Sequence, residues 1–243
     1  MKRSGGDAAM ANQFDRLTER ELAELDTLLV AHESRWWDSF YEDRAKPCPF
    51  FGTSPDESLA KWVLDGLIRP GRAIELGCGN ARNAIFLARQ GFSVEGVDYS
   101  RTAVDWARHR ITEAGVAVSL TCRSVFELEP EAGTCNLVYD SGCFHHIPPH
   151  RRKRYVELVV NALKPGGWFG LACFRPEGGS GYSDDEVYER RSMGGGLGYT
   201  EERLREVWSS GLQVRFIRQM DKPGAETGLF GESFLWALLA QKT

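Results

Sequence analysis

The chain has 243 residues, of which 42% are hydrophobic and 26% charged, and its formal net charge is −4. That length suits one large α/β domain with a substantial core. The charge balance points away from a broad nucleic-acid surface, and no apolar run approaches the length of a bilayer span.

Met1 to Asn12 is polar and rich in small residues, and it lacks the apolar core of a secretory leader. It reads as a flexible tail on a cytoplasmic protein. Six cysteines (Cys48, Cys78, Cys122, Cys135, Cys143, Cys173) show no CxxC spacing. Most fall in predicted strands or turns, which points to free thiols in a reducing compartment and to no metal site.

Thr18-Glu19-Arg20-Glu21 is a capping box, followed by Leu22, Leu25, Leu29, His32 and Trp36 at helical spacing. One helix is expected to about Phe40. Tyr41 to Thr53 is a loop with aromatics. Ser54-Pro55-Asp56-Glu57 reads as a second capping box with Pro at the first helical position. Its helix has Leu59, Trp62, Val63 and Leu67 on the apolar face.

Strands and helices then alternate. Strands are expected at Arg72–Leu76, Ser93–Val97, Val116–Cys122, Cys135–Tyr139 and Trp168–Phe174. Helices are expected at Asn80–Gln90, from the Ser100 cap to Ala114, and over Pro149–Leu163. Most strands are near-continuous apolar runs, as expected when both faces of a parallel sheet are covered. Arg175 to Thr200 reads as a long Gly-rich insertion. A short helix, Glu201–Ser210, and two strands, Leu212–Met220 and Ser233–Gln241, close the chain. The fold class is α/β: a doubly wound, mostly parallel seven-stranded sheet with an antiparallel C-terminal strand, plus N-terminal helices.

The sharpest local signal is Glu75-Leu76-Gly77-Cys78-Gly79-Asn80-Ala81-Arg82, where the first strand enters a glycine turn and then a helix. Gly77 and Gly79 let the backbone turn sharply and let a ligand approach closely. The helix start presents unpaired N–H groups. Asp98 ends the next strand. A dinucleotide fingerprint needs a small third residue, and Arg82 stands there instead. No Gly-Lys-Ser/Thr follows, so the turn is not a P-loop. Without further evidence, a generic doubly wound fold with ordinary turn glycines remains open.

Glu75-x-Gly77-x-Gly79 followed by Val97-Asp98 resembles motifs I and II of the class I S-adenosylmethionine (SAM) methyltransferases. The resemblance runs over roughly Ser54 to Lys242, and the terminal hairpin agrees with it. It implies that Gly77, Cys78, Gly79 and Asn80 pass the methionine part of the cofactor. It implies that Asp98, next to Tyr99, accepts hydrogen bonds from the ribose hydroxyls. Glu75 matches the acid used near the methionine ammonium. Ser124, with Val125, stands where many members carry an adenine-reading Asp. The product would be S-adenosylhomocysteine. The implied organisation is a tail, helix and lid-like loop over 1–53 and a methyltransferase domain over 54–243, with an insertion at about 175–200.

The acceptor should meet the end of the fourth strand, Tyr139-Asp140-Ser141-Gly142-Cys143-Phe144-His145-His146. The Pro-Pro-Tyr/Phe run of base and amide N-methyltransferases is absent here, and so is a Pro-Cys nucleophile. Both absences favour a small-molecule acceptor. Asp140 could face the cofactor ammonium or the acceptor, or cap the next turn. His145 and His146 are candidate general bases, or else packing residues. Trp37, Tyr41, Phe51, Tyr182 and Tyr199 are candidate substrate walls, or else core. The basic cluster His150–Arg154 is either an anion contact or a solvated helix end. Methylation of RNA or protein, and SAM binding without transfer, are the competing functions. Monomer and homodimer are both open.

Overall fold

The computed structural model describes Phe14, residues 17–29 and residues 34–243. The described helical stretches at the N-terminus are α1 (Glu19–Leu29) and α2 (Ser34–Glu42); residues 30–33, with the expected helical position His32, lie outside the described residues. Thr18 and Glu21 make the expected reciprocal cap. The Thr18 N–H donates to Glu21 Oε2 at 2.8 Å, and the Glu21 N–H to Thr18 Oγ1 at 3.4 Å.

The second expected cap does not form. Helix α3 (Glu57–Leu64) starts after Asp56, which makes no side-chain cap. Its carboxylate is committed elsewhere: Oδ1 to Arg82 at 2.6 Å and Oδ2 to the Tyr139 hydroxyl at 2.6 Å.

The α/β unit follows as β1 (Arg72–Leu76), α4 (Arg82–Arg89), β2 (Ser93–Asp98), α5 (Arg101–Ala114), β3 (Val118–Cys122), β4 (Cys135–Ser141), α6 (Arg152–Ala162) and β5 (Leu163–Phe174). The chain ends with α7 (Asp184–Glu189), α8 (Glu201–Trp208), β6 (Leu212–Gln219) and β7 (Leu235–Lys242). Ser100 caps α5 as expected, and Gly115 closes it in the left-handed conformation at φ +64°. The insertion is not a bare loop. It carries α7, begun by a capping box of Ser183 and Glu186.

The sheet order is β3-β2-β1-β4-β5-β7-β6. The first five strands pair in parallel, and β7 pairs antiparallel with both β5 and β6. Side chains alternate between two cores. Ile74, Leu76 and Val138 pack with Val159 of α6 and Trp208 of α8. Ala73, Leu137 and Tyr139 pack with Leu59 of α3, Leu87 of α4 and Ala107 of α5. Both faces are thus covered, as the apolar strands required. Leu76 lies opposite Val97 on one side and Asp140 on the other. That register brings the carboxyl ends of β1, β2 and β4 together, where doubly wound sheets bind ligands.

Candidate active site

The glycine turn bends through three left-handed residues, Gly77 (φ +66°), Gly79 (φ +51°) and Ala81 (φ +61°). A Cβ on Gly77 would stand 2.7 Å from Cys143 Cβ, and one on Gly79 would stand 2.8 Å from Tyr41 Oη. Both positions therefore need glycine for space as well as for conformation.

Asp98 sits beneath this turn, 7% exposed. Its Oδ2 accepts the Gly79 N–H and its Oδ1 the Ser100 N–H, both at 2.9 Å. A carboxylate has about four lone-pair sites, so each oxygen keeps capacity for a further donor. Burial pushes its pKa up to about 6, against the backbone N–H groups that favour the anion. Glu75 is buried too, and its Oε2 has no hydrogen-bond partner among the described residues. Burial pushes Glu75 up to about 8.

A cavity of about 610 Å³ opens at this end of the sheet. Of the expected cofactor residues, Gly77, Asp98, Tyr99, Ser124 and Val125 line it, and Glu75 and Gly79 do not. Ser124 Oγ accepts the Phe126 N–H at 3.3 Å, starting the turn that carries Phe126 and Glu127 into the wall.

Other expected cofactor residues do not line the cavity. Cys78 is buried behind the turn, its Sγ 3.0 Å from where a Cβ on Gly96 would stand. Asn80 is buried against the aromatic loop, and its Nδ2 donates to the carbonyls of Phe50, Phe51 and Gly52 at 3.1–3.3 Å. It thereby stitches the aromatic loop to the glycine turn. Asp140 folds back into the core. Its carboxylate accepts the Cys143 and Phe144 N–H groups at 2.8 and 2.9 Å and the Tyr155 hydroxyl at 2.5 Å. It is fully buried, and burial pushes it up to about 7. Of the expected roles, capping the turn is the one its geometry serves.

The two histidines differ. His145 stacks on Phe174, with centroids 3.7 Å apart and planes 12° from parallel. Its Nδ1 lies 3.2 Å from the Phe174 N–H and accepts from it. That bond fixes the neutral tautomer with the proton on Nε2. Burial, and then His146, hold its pKa well below the usual range. His146 lies edge-on to Trp37 at 4.8 Å, and burial lowers it to about 4. Both are neutral at pH 7, and both line the cavity.

Of the expected substrate walls, Trp37 and Tyr41 line the cavity. Phe51 lies behind, stacked on Tyr41 at 5.4 Å, and its neighbour Phe50 lines the cavity instead. Tyr199 is 2% exposed and belongs to the core, where its hydroxyl accepts from Arg152 Nε at 2.9 Å. Tyr182 stays outside the cavity, beneath the Arg190 guanidinium at 4.7 Å. The insertion contributes Met193, and the β6–β7 connection contributes Phe230 and Phe234. Nothing in the sequence separated these two from ordinary hairpin residues.

The basic cluster is only partly the solvated helix end expected: Lys153 and Arg154 are exposed, whereas His150, Arg151 and Arg152 are buried. His150 Nε2 is 2.8 Å from Asp26, Arg151 pairs with Asp26 and Glu19, Arg152 with Asp184, and Arg154 with Glu19. The cluster docks α1 over the cavity, whose wall includes Asp26 and Leu29. No cluster of three His, Cys, Asp or Glu suited to a metal occurs among the described residues, and no described helix is long and apolar enough to cross a membrane.

Residues 73–167 match the family of methyltransferase domains. Over those residues the chain carries a methyltransferase domain, with the glycine turn and Asp98 of the class I SAM-dependent type. The methyltransferase sheet, with its antiparallel β5-β7-β6 part, agrees. The 1,6-didemethyltoxoflavin-N1-methyltransferase of Burkholderia thailandensis, solved with its substrate and S-adenosylhomocysteine, superposes with a TM-score of 0.60 at 21% identity, covering 93% of this chain and 91% of that one. The 2-heptyl-1-hydroxyquinolin-4(1H)-one methyltransferase of Mycobacteroides abscessus is 27% identical over 151 residues, 60% of this chain and 66% of that protein. The thiopurine S-methyltransferase of Pseudomonas entomophila is 32% identical over 114 residues, 41% of this chain and 53% of that protein. The chain thus spans less than two-thirds of the length of these curated relatives.

Proposed function

We propose that the chain transfers a methyl group from SAM to an O, N or S nucleophile of a small, largely apolar molecule. The observation that carries this is one continuous cavity, which joins the glycine turn and Asp98 to a chamber walled by Trp37, Phe50, Phe174, Phe230 and Phe234. Such a chamber suits a flat or aromatic acceptor. The relatives that act on a hydroxyquinolinone and on thiopurines agree with that class.

The residues present fit the cofactor. Gly77 carries no Cβ at the cavity wall, Asp98 keeps free acceptor capacity, and Glu75, buried outside the cavity lining, holds an unpaired oxygen of the kind an ammonium group would seek. SAM supplies a methyl already activated on a sulfonium. The chain's residues align the two partners and exclude water. Asp98 holds the ribose, and Ser124 and Val125 flank the adenine. Trp37 and Tyr41 of α2 close the chamber as a lid. His146, neutral and half-buried in the wall, accepts the proton of a hydroxyl or amine acceptor. His145 holds the wall in place, since its Nδ1 is already used. Pairing of Arg151 and Arg154 with Glu19 of α1 and of Arg152 with Asp184 of α7 counts against the RNA reading.

Calorimetry with S-adenosylhomocysteine tests the cofactor, and binding weaker than millimolar would sink the reading. Release of S-adenosylhomocysteine across phenols, N-hydroxy heterocycles, thiols and amines tests the acceptor. Turnover only on RNA or protein would overturn the small-molecule class.

A further inference from the structure

Asp98 and the lid helix meet at one residue. The Ser100 N–H donates to Asp98 Oδ1 at 2.9 Å, and the Ser100 hydroxyl donates to Asp38 Oδ1 at 2.7 Å. Ser100 Oγ also accepts the Ala103 N–H at 3.1 Å, as the cap of α5. The same Asp38 oxygen accepts the Thr102 N–H at 3.1 Å. Ser100 is fully buried, whereas Asp38 is half-buried on α2. A hydrogen-bonded chain therefore runs from Gly79 through Asp98 and Ser100 to Asp38.

The lid's cavity-lining residues flank this anchor. Trp37 precedes Asp38, and Tyr41 stands one turn later, with its hydroxyl over Gly79. With α2 docked, the cavity has its Trp37 and Tyr41 walls. With α2 lifted, Ser100 Oγ–H and Thr102 N–H turn to water and those walls are gone.

We propose that Asp38 is a positioning residue that couples docking of α2 to cofactor binding at Asp98. The proposal rests on the SAM reading above. Ribose hydroxyls on Asp98 hold its carboxylate in the orientation that fixes Ser100. Ser100 then presents its hydroxyl to Asp38. Hydrogen bonds in such a chain polarise and order one another. A ligand shifts the lid only as far as it binds the docked state better, and Tyr41 and Trp37 supply that difference. Linkage makes the effect reciprocal, so releasing α2 weakens the cofactor by the factor that the cofactor strengthens α2.

The test uses the full chain, with S-adenosylhomocysteine as the probe. Calorimetry gives its affinity for the wild type, Asp38→Ala, Asp38→Asn, Ser100→Ala and the Asp38→Ala/Ser100→Ala pair. Hydrogen exchange over residues 34–42 reads the lid with and without the probe. The ligand should protect 34–42 in the wild type. Asp38→Ala and Ser100→Ala should each weaken binding about fivefold or more and remove most of that protection. The double variant should lose little beyond either single one, and Asp38→Asn, which keeps an acceptor oxygen, should recover part of both signals. A merely structural anchor would lower the melting temperature and leave the ligand-induced protection intact, and that result overturns the coupling. Affinities within twofold of wild type in both single variants also overturn it. A wild type that does not bind the probe overturns the SAM reading itself, and the coupling with it.

Discussion

Arg82 and Asp56 form an ion pair at 2.6 Å, with side chains 6% and 0% exposed. The guanidinium also donates to the Ser54 carbonyl and to Ser141 Oγ, each at 3.0 Å, and lies 4.3 Å from the centre of the Phe230 ring. Arg82 thus ties the starts of α3 and α4 to the end of β4 and to the cavity wall. Removing one partner strands the other charge in the core. Arg82→Ala should cost about 3–5 kcal/mol of stability, measured by urea unfolding. A loss below about 1 kcal/mol would show that the pair contributes little.

Asp98→Ala should weaken S-adenosylhomocysteine by about 10- to 100-fold, as expected for lost hydrogen bonds to a charged group. The pH dependence has a definite sign. The Asp98 pKa is raised from 3.8 to about 6 in the folded chain. Between those values the folded state holds a proton that the unfolded chain has released. Its contribution to stability therefore falls as pH rises through that window. Ligand binding runs the other way, because the ribose needs the anion. The part of the affinity lost in Asp98→Ala should climb to about pH 6 and then level off in calorimetry, and a part that stays flat from pH 4 to 8 would remove the role.

The histidines should separate by phenotype. His146→Ala should fold normally and lower kcat on a hydroxyl acceptor by about 100-fold. His145→Ala removes a stacked ring and the acceptor of the Phe174 N–H. It should cost about 2–3 kcal/mol in thermal or urea unfolding. Since both imidazoles are neutral at pH 7, kcat should show no histidine titration between pH 6 and 8.

The α1 dock should be sensitive to acid. Burial alone would raise Asp26, but hydrogen bonds from His150 and Arg151 outweigh it and hold the pKa at about 2. A lowered carboxylate pKa adds stability that is present above its unfolded value of 3.8 and lost as pH falls toward 2. Asp26 is 37% exposed, so solvent screening keeps the contribution modest. Limited proteolysis within residues 19–29 should accelerate below pH 4 in the wild type. Asp26→Asn should already cut at that faster rate at pH 7.

Much of the frame was legible because its signals are local. Ser100 and Gly115 bound α5 by side-chain capping and a left-handed turn, both readable from residue type. The strands announced themselves as apolar runs, and Gly77, Gly79 and Asp98 carried the ligand end. What escaped depends on partners far along the chain. Asp140 faces inward because Tyr155, on α6, takes its oxygen. Ser54 and Glu57 fail as a capping box because the helix begins at Glu57, whose carboxylate is taken by Arg218 and the Asp221 N–H. The cluster at 150–154 looked solvated because Glu19 and Asp26 are more than a hundred residues away. Tyr199 read as a loop aromatic, and Arg152 makes it core.

The β6–β7 connection touches α3 through main-chain atoms. The Glu57 N–H donates to the Phe230 carbonyl and the Phe230 N–H to the Pro55 carbonyl, each at 2.8 Å. These two bonds do not depend on the Phe230 side chain, whose ring meets Arg82 separately. Residues 221–234 carry Phe230 and Phe234 into the cavity wall, so a new side chain at 234 would resize the chamber, whereas one at 230 would also be felt by Arg82 at the start of α4. Divergence of acceptor preference, in nature or in the laboratory, has an open route at Phe234 that leaves the methyl donor's end of the cavity untouched.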